Sequence, residues 1–387
     1  MSSALKILQL VHTLDPSVGG VATSVLALSR GLARRGHKID IVVLDDPSAA
    51  WIANIDLNVH ALGSGLTSYR YSRFLLPWLR QHGDYDRVIV NGIWQYLSFA
   101  AWRRYAGSQI PYYVFPHGML DPWFKETFPL KHLKKWLYWP WAEYRVLRDA
   151  AAVIFTSEEE RLQARQSFWL YRCREKVSPL GVEAPPISTS AKSEFLARYP
   201  QLQNTRNFLF LGRLHPKKGC DILLDAFARV RSADSISLIL AGPDQIGWES
   251  DLRRQVARLN LTNRVAFTGM LQGTIKQGAF ACADAFVLPS HQENFGISVV
   301  EALAAGVPVL ISNRVNVWRE IDTDRAGYVE SDDLAGTTRL LQRWIDTAPT
   351  ERETMRKNAR NCFEQRFEID RAVDSLLRIL NEVPTVQ

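Results

Sequence analysis

The sequence predicts an α/β protein made of two doubly wound, Rossmann-like domains facing one another across a cleft. Three observations predict it. Short apolar, strand-like runs alternate with helical patterns along all 387 residues, the order that produces parallel sheets covered on both faces. The alternation is present twice, in halves of similar size. Between them runs Ser178-Pro-Leu-Gly181-Val-Glu-Ala-Pro185-Pro186-Ile-Ser-Thr-Ser, whose Pro, Gly and Ser content marks a linker. In the first half, strands are expected at 6–11, 39–44, 88–91, 112–115 and 153–155, with helices at 22–35, 96–105 and 158–171. In the second, strands are expected at 208–211, 238–241, 265–267, 286–288 and 309–311. Helices are expected there at 221–231, 249–259, 298–305 and 334–347. The domains would span 1–183 and 184–365, and a last helix within 366–387 would pack back toward the first domain.

Bulk composition excludes several classes. A hydrophobic content of 47% and a charged content of 22% are ordinary for a globular protein, which argues against disorder and coiled coil. The longest apolar stretches, such as Ala150-Ala-Ala-Val-Ile-Phe155, are too short to cross a bilayer. The start of the chain carries no charged head, long apolar stretch and small-residue cleavage site, so no secretion signal is expected. The four cysteines, Cys173, Cys220, Cys282 and Cys362, are scattered without metal-ligand spacing and read as reduced thiols of a cytosolic protein. A net charge of +7 suits nucleic acid, anionic lipid or phosphorylated substrates, and does not choose among them.

The most informative segment is Ser290-His-Gln-Glu293-Asn294-Phe295-Gly296-Ile297-Ser-Val-Val-Glu301. It follows a compact apolar strand and leads into a short helix that stops at Gly306, with Pro308 just beyond. Two carboxylates therefore flank a helix start whose N–H groups lack intrahelical partners. Such an end attracts phosphate, whereas carboxylates prefer donors such as sugar hydroxyls. A sugar nucleotide carries both. Either acid alone would read as a solvated loop or helix-dipole residue.

Other strand ends add to this. After the first strand, His12-Thr-Leu-Asp-Pro-Ser-Val-Gly19-Gly20 opens a helix with paired glycines, which let backbone approach a ligand; the spacing is not that of a dinucleotide fingerprint. After the strand at 208–211 comes Gly212-Arg213-Leu-His-Pro-Lys217-Lys218-Gly219. Its arginine fork and flexible lysine are suited to gripping a diphosphate from two sides. After the strand at 112–115, His117-Gly118 places an imidazole in hydrogen-bonding position.

Together these pieces resemble the retaining glycosyltransferases of family 4, which have the two-domain GT-B arrangement. The likeness lies in Gly-Arg213-x4-Lys218-Gly, in Glu293-x7-Glu301 enclosing Phe-Gly296, and in Glu-Ala-x-Ala-x-Gly306-x-Pro308. Gly19-Gly20 and His117-Gly118 match further family positions. The resemblance implies transfer of a sugar from a nucleotide diphosphate, UDP- or GDP-linked, to an acceptor with retention of anomeric configuration. By position, Arg213 and Lys218 would hold the diphosphate, Glu293 would face the donor sugar and Glu301 the ribose. Asn294, Phe295, Gly296 and Ile297 would supply surrounding contacts and amides. Gly19 and Gly20 would lie against the diphosphate, and His117 would touch the sugar near the reacting centre. The interdomain Pro179-Leu180-Gly181-Val182 and the stretch from Asn313 to Glu320 depart from the common pattern. No Asp-x-Asp cluster stands at a strand end, and Asp45-Asp46 and Asp332-Asp333 read as turn acids, so no metal and no other cofactor is expected.

Between 123 and 148 aromatics and bases crowd together, among them Trp123, Phe124, Lys125, Lys131, Lys134, Lys135, Trp136, Trp139 and Trp141. Such a segment either packs its rings inward or rests them among lipid headgroups while its bases meet anionic lipid. The expected acceptor is a glycan or a lipid-diphosphate-linked glycan of bacterial surface polysaccharide assembly. The expected location is cytoplasmic, peripheral to the inner membrane face. Alternatives are a GT-B-fold sugar-nucleotide epimerase or phosphorylase and, from a different class, a basic nucleic-acid-binding protein; no nucleic-acid fold signature supports the last.

Overall fold

Apolar runs of three to six residues become the parallel strands of two separate sheets. The computed structural model describes residues 4–184 and 188–382, with the side chain of Glu126 left aside. Pro185, Pro186 and Ile187 of the expected linker, and the end of the expected 366–387 segment, lie outside the described residues. The chain divides into two units, one running to Glu183 and resuming at Ile369, the other covering Ala184–Glu368. The second unit thus ends at Glu368, against the expected 365.

In the first unit the strands are β1 (Lys6–Val11), β2 (Lys38–Val43), β3 (Asn58–Ala61), β4 (Arg87–Asn91), β5 (Tyr112–Phe115), β6 (Ala152–Phe155) and β7 (Glu175–Val177). They lie in the order β3-β2-β1-β4-β5-β6-β7, all parallel. In the second unit they are β8 (Arg206–Leu211), β9 (Ile236–Ala241), β10 (Val265–Gly269), β11 (Ala283–Leu288), β12 (Val309–Ser312) and β13 (Gly327–Glu330). Their order is β10-β9-β8-β11-β12-β13, again all parallel. Each sheet reverses its winding direction once, between β1 and β4 and between β8 and β11. At such a switch point the carboxyl ends of the strands leave a crevice for ligands.

Burial explains which strands were legible. Central strands are apolar without alternation because both faces are covered; all six residues of β9 are buried. Three strands escape the sequence reading: β3, β7 and β13. All three are sheet edges, and none is buried along its whole length. The helix expected at 158–171 stops at Ala164. It starts where expected, capped by the Ser157 hydroxyl accepting from the Glu160 amide. The four cysteines are unpaired.

The last helix, Ile369–Asn381, belongs to the first unit. It buries Ile369, Ala372, Val373, Leu376, Ile379 and Leu380 on one stripe. It runs beside helix Gly20–Arg34, where a side chain at Gly31 would collide with Val373 Cγ2 at 2.5 Å. Arg35 pairs with Asp374 at 2.7 Å, the Ile369 amide donates to the Val182 carbonyl, and Arg87 Nε donates to the Leu380 carbonyl at 2.7 Å. Among the described residues no helix is long and apolar enough to cross a membrane.

Candidate active site

The second unit gathers most of the expected residues at its switch point. β8 ends at Leu211, and the next residues carry Arg213 into a short 3-10 turn, Pro216–Lys218. Gly219 then adopts a left-handed φ of 69°, and a Cβ there would sit 2.4 Å from the Pro289 carbonyl oxygen. Only glycine lets this loop lie against the end of β11. The two loops are tied together by Ser290 Oγ and the His291 amide, which both donate to the Lys217 carbonyl at 2.9 Å.

From β11 the chain runs through Glu293 to Gly296, whose φ of 73° caps the helix Ile297–Ala304. This helix starts where the sequence places it. Two ion pairs flank its start. Lys218 Nζ meets Glu293 Oε2, and Lys276 Nζ meets Glu301 Oε1 at 2.6 Å. Burial pushes the Glu293 carboxyl up, but the adjacent Lys218 charge, with Lys217 and Arg213 further out, outweighs it. The net effect holds Glu293 below the usual carboxylate range, ionised at neutral pH. Arg213 reaches Gln245 Oε1 at 3.3 Å. Phe295 is buried, edge-on to Phe367 with ring centroids 5.7 Å apart. It anchors the loop and does not offer its ring to a ligand.

The stretch from Asn313, which departs from the family pattern, braces Glu293. The Glu293 amide donates to the Arg314 carbonyl at 2.9 Å, and the Asn316 amide donates to the Glu293 carbonyl at 3.0 Å. Sequence reasoning missed this brace, and it missed Lys276 too. Lys276 lies 25 positions from Glu301 on another helix, Gly273–Cys282, and no local spacing links them.

In the first unit, helix Gly20–Arg34 begins at the second glycine of the Gly19-Gly20 pair, two residues earlier than the expected 22. The loop before it hangs on Asp45. This buried carboxylate accepts from Thr13 Oγ1 at 2.5 Å and from the Leu14 amide at 2.8 Å. Asp45 is therefore not a turn acid as expected, whereas Asp46 is, accepting from the Ser48 amide and hydroxyl. Asp333 caps helix Leu334–Asp346, and Asp332 pairs with His291 Nδ1 at 2.9 Å.

His117 adopts a left-handed φ of 51°, a conformation that costs a non-glycine residue ~1 kcal/mol. Its neighbour's amide, Gly118, is held by Glu160 Oε1 at 2.6 Å. His117 Nε2 lies 3.1 Å from Asn91 Oδ1, and its ring stacks on Phe115. Asn91 is itself fixed by donating to Gln9 Oε1 at 2.8 Å. Burial, helped by the nearby His12, pushes the His117 pKa down to about 4, so the imidazole is neutral at pH 7. His12 follows β1, and its Nδ1 is buried without a hydrogen-bond partner among the described residues. The sequence reading singled out the paired glycines of this loop and not the histidine that opens it. No group of three His, Cys, Asp or Glu side chains among the described residues is arranged to hold a metal ion.

Two parallel, doubly wound sheets with functional loops at their switch points are the architecture expected of the GT-B fold. The comparisons agree. Residues 192–362 match the family model for glycosyl transferases group 1, and residues 19–181 match that for the glycosyl transferase 4-like domain. The chain belongs to the group 1 glycosyltransferase family. It is 26% identical to the O-antigen chain mannosyltransferase C of Escherichia coli, over 97% of this chain and 98% of that protein. It is 25% identical to the alpha-monoglucosyldiacylglycerol synthase of Streptococcus pneumoniae, over 89% and 79% of the respective chains. Among solved structures, Anabaena HepE in complex with UDP superposes with a TM-score of 0.80 at 22% identity, covering 98% of this chain and all of the other.

Proposed function

We propose that this glycosyltransferase moves a sugar from a UDP- or GDP-linked donor to a glycan or lipid-diphosphate-linked acceptor in bacterial surface polysaccharide assembly. Transfer retains the anomeric configuration and needs no divalent ion. The observation that carries the reading is the pair of lysine–carboxylate contacts, Lys218 with Glu293 and Lys276 with Glu301, on either side of one helix start.

An ammonium has three donors, so Lys218 can keep Glu293 ionised while it binds a phosphate oxygen. Arg213 adds a second fixed cation. The departing nucleotide diphosphate gains negative charge in the transition state, so cations and helix-start amides aimed at it lower the barrier. Glu293 addresses hydroxyls of the transferred sugar, and Glu301, steadied by Lys276, accepts from the ribose. The sugar becomes oxocarbenium-like, and front-face attack assisted by the leaving phosphate accounts for retention. In the first unit, neutral His117 and the helix start at Gly20 offer an imidazole and free amides to the substrates.

The near-complete span of the match to an O-antigen mannosyltransferase supports the polysaccharide assignment. The structural neighbour HepE, described with UDP and with UDP-glucose, supports a nucleotide-sugar donor. A cavity of about 190 Å³ in the first unit, whose lining includes Phe124, Phe128 and Phe168 with Asp121, Lys131 and Lys135, supports an acceptor with both apolar and polar parts. The test is thermal shift with uridine, guanosine and adenosine diphosphates, then with the matching sugar nucleotides. One base should raise the Tm above the others, because a ligand that binds only the native state stabilises it. Indifference to all three would remove the donor reading. Release of nucleotide diphosphate only when acceptor is present would separate transfer from epimerisation.

A further inference from the structure

The segment 123–148 divides its aromatic and basic side chains between two destinations. Trp139 is fully buried, and Phe168 stacks on it with centroids 4.6 Å apart. His132 stacks on the other partner, Phe168, at 4.6 Å. Lys135 lies over the Trp94 ring at 4.6 Å, and burial pushes its pKa down to about 8. These residues form the inward side of helix Pro129–Tyr138. The inward packing expected as one alternative accounts for them.

The opposite side has no such cover. No residue of helix Pro129–Tyr138 is buried. Leu130, Leu133 and Leu137 are 79%, 55% and 61% exposed, and Trp141 just beyond is 71% exposed. The spacing of three and four residues sets the leucines on one stripe, and Trp141 follows on the 3-10 turn Trp139–Trp141. Trp169 and Leu170, from a separate loop, are about half exposed, and Trp169 lies 5.9 Å from Trp136. Leu133, Trp136 and Trp169 line one shallow depression, so the apolar face draws on two chain segments, unlike scattered single side chains.

Charge selects the partner. Away from the inward Lys135, the helix exposes Lys131 and Lys134 and carries no acid. Lys134 falls within the leucine stripe itself. Lysines interleaved with leucines and tryptophans allow rings and aliphatic chains to enter the headgroup region while the ammonium groups stay at lipid phosphates. A protein partner that buried the leucines would also have to bury or neutralise these lysines. An anionic bilayer meets both needs at once.

We propose that Leu130, Leu133, Leu137 and Trp141, with Trp169 and Leu170, form a docking face for the surface of an anionic lipid bilayer. The face is independent of the donor residues, so the nucleotide thermal shift and the lipid experiment fail separately.

The test is cosedimentation of the full chain with phosphatidylglycerol vesicles and with phosphatidylcholine vesicles. Salt is varied from about 0.02 M to about 0.5 M, across which the Debye length falls severalfold. Binding to phosphatidylglycerol at low salt should exceed binding to phosphatidylcholine by at least about tenfold, since each lysine near the surface is worth about a fivefold factor. High salt should weaken it. The triple substitution Leu130→Glu, Leu133→Glu and Leu137→Glu should abolish it. Lys131→Gln with Lys134→Gln should remove the lipid preference but leave weak binding to both vesicles. All five substituted side chains lie outside the core and can change without cavity formation, and an unchanged nucleotide-induced Tm shift verifies the fold of each variant. Wild-type protein that ignores phosphatidylglycerol at low salt, or a triple variant that binds like wild type, overturns the proposal. Self-association that is lost in the triple variant overturns it as well, in favour of a second copy on this face.

Discussion

Glu293 and Glu301 differ in what surrounds them, and that difference separates their expected effects. Glu301 stands on the second turn of its helix with Lys276 as partner. Glu301→Ala should weaken nucleotide diphosphate affinity by about tenfold or more, the cost of a charged hydrogen bond lost. Titration calorimetry or thermal shift reads it. Glu293 is held on a braced loop by Lys218, and Glu293→Ala should lower kcat more than it weakens nucleotide binding. The opposite pattern would exchange their roles. His117 makes a pH-dependent prediction. Its pKa falls from 6.5 to about 4 on folding, through burial first and the neighbouring His12 second. Between those values the unfolded chain takes up a proton that the folded protein refuses, so stability falls as pH falls through that window. In His117→Asn the drop in Tm between pH 6.5 and pH 4 should be shallower than in wild type. An equally steep drop would mean that His117 is not neutral by burial.

At the scale of elements, packing and buried polar contacts decide what the termini and loops can tolerate. The last helix fills its stripe against the first unit, and Leu376 is fully buried. Leu376→Ala should cost ~2–5 kcal/mol, seen as a lower midpoint in urea denaturation. Nucleotide binding per folded molecule should survive. Glu143 opens helix Glu143–Asp149 in a fully buried place, accepting from the Trp94 amide at 2.8 Å and from Ser98 Oγ at 3.0 Å. Burial pushes its pKa up to about 7, against those bonds and the Lys135 charge. Between its ordinary 4.5 and about 7 the folded protein keeps a proton that the unfolded chain loses, so this residue's stabilising effect declines as pH rises across that window. Glu143→Gln, which keeps an acceptor for both bonds, should therefore raise Tm at pH 8 and change it little at pH 4. A gain at pH 4 and none at pH 8 would contradict the assignment. The element boundaries show why some of the fold was legible and some was not. β9 and β11 are covered on both faces over their apolar runs Leu238–Ala241 and Phe286–Leu288, and those runs read directly. β3, β7 and β13 carry polar residues such as Asn58, His60, Lys176 and Glu330 because an edge has fewer neighbours, and their patterns fade into loops.

For the molecule as a whole, the chemistry proposed rests on fixed cations and amides rather than on a metal. Exhaustive chelation should leave transfer at its full rate. Loss of activity restored only by magnesium or manganese would require a different account of how the leaving diphosphate is stabilised. What the linear order of residues determined by itself was the α/β class, the duplication, the GT-B resemblance and the positions of Arg213, Lys218, Glu293, Glu301 and His117. Strand periodicity and strand-end motifs are local, and local spacing carries them. Tertiary structure decided the rest. It paired Lys276 with Glu301 and Lys218 with Glu293, used Asn313 to Asn316 as a brace, made Asp45 a buried anchor, and returned the last helix to the first unit. It also divided the segment 123–148 into buried Trp139 and exposed Leu130 and Trp141. These outcomes join residues tens to hundreds of positions apart, and only the packing of whole elements brings such residues into contact.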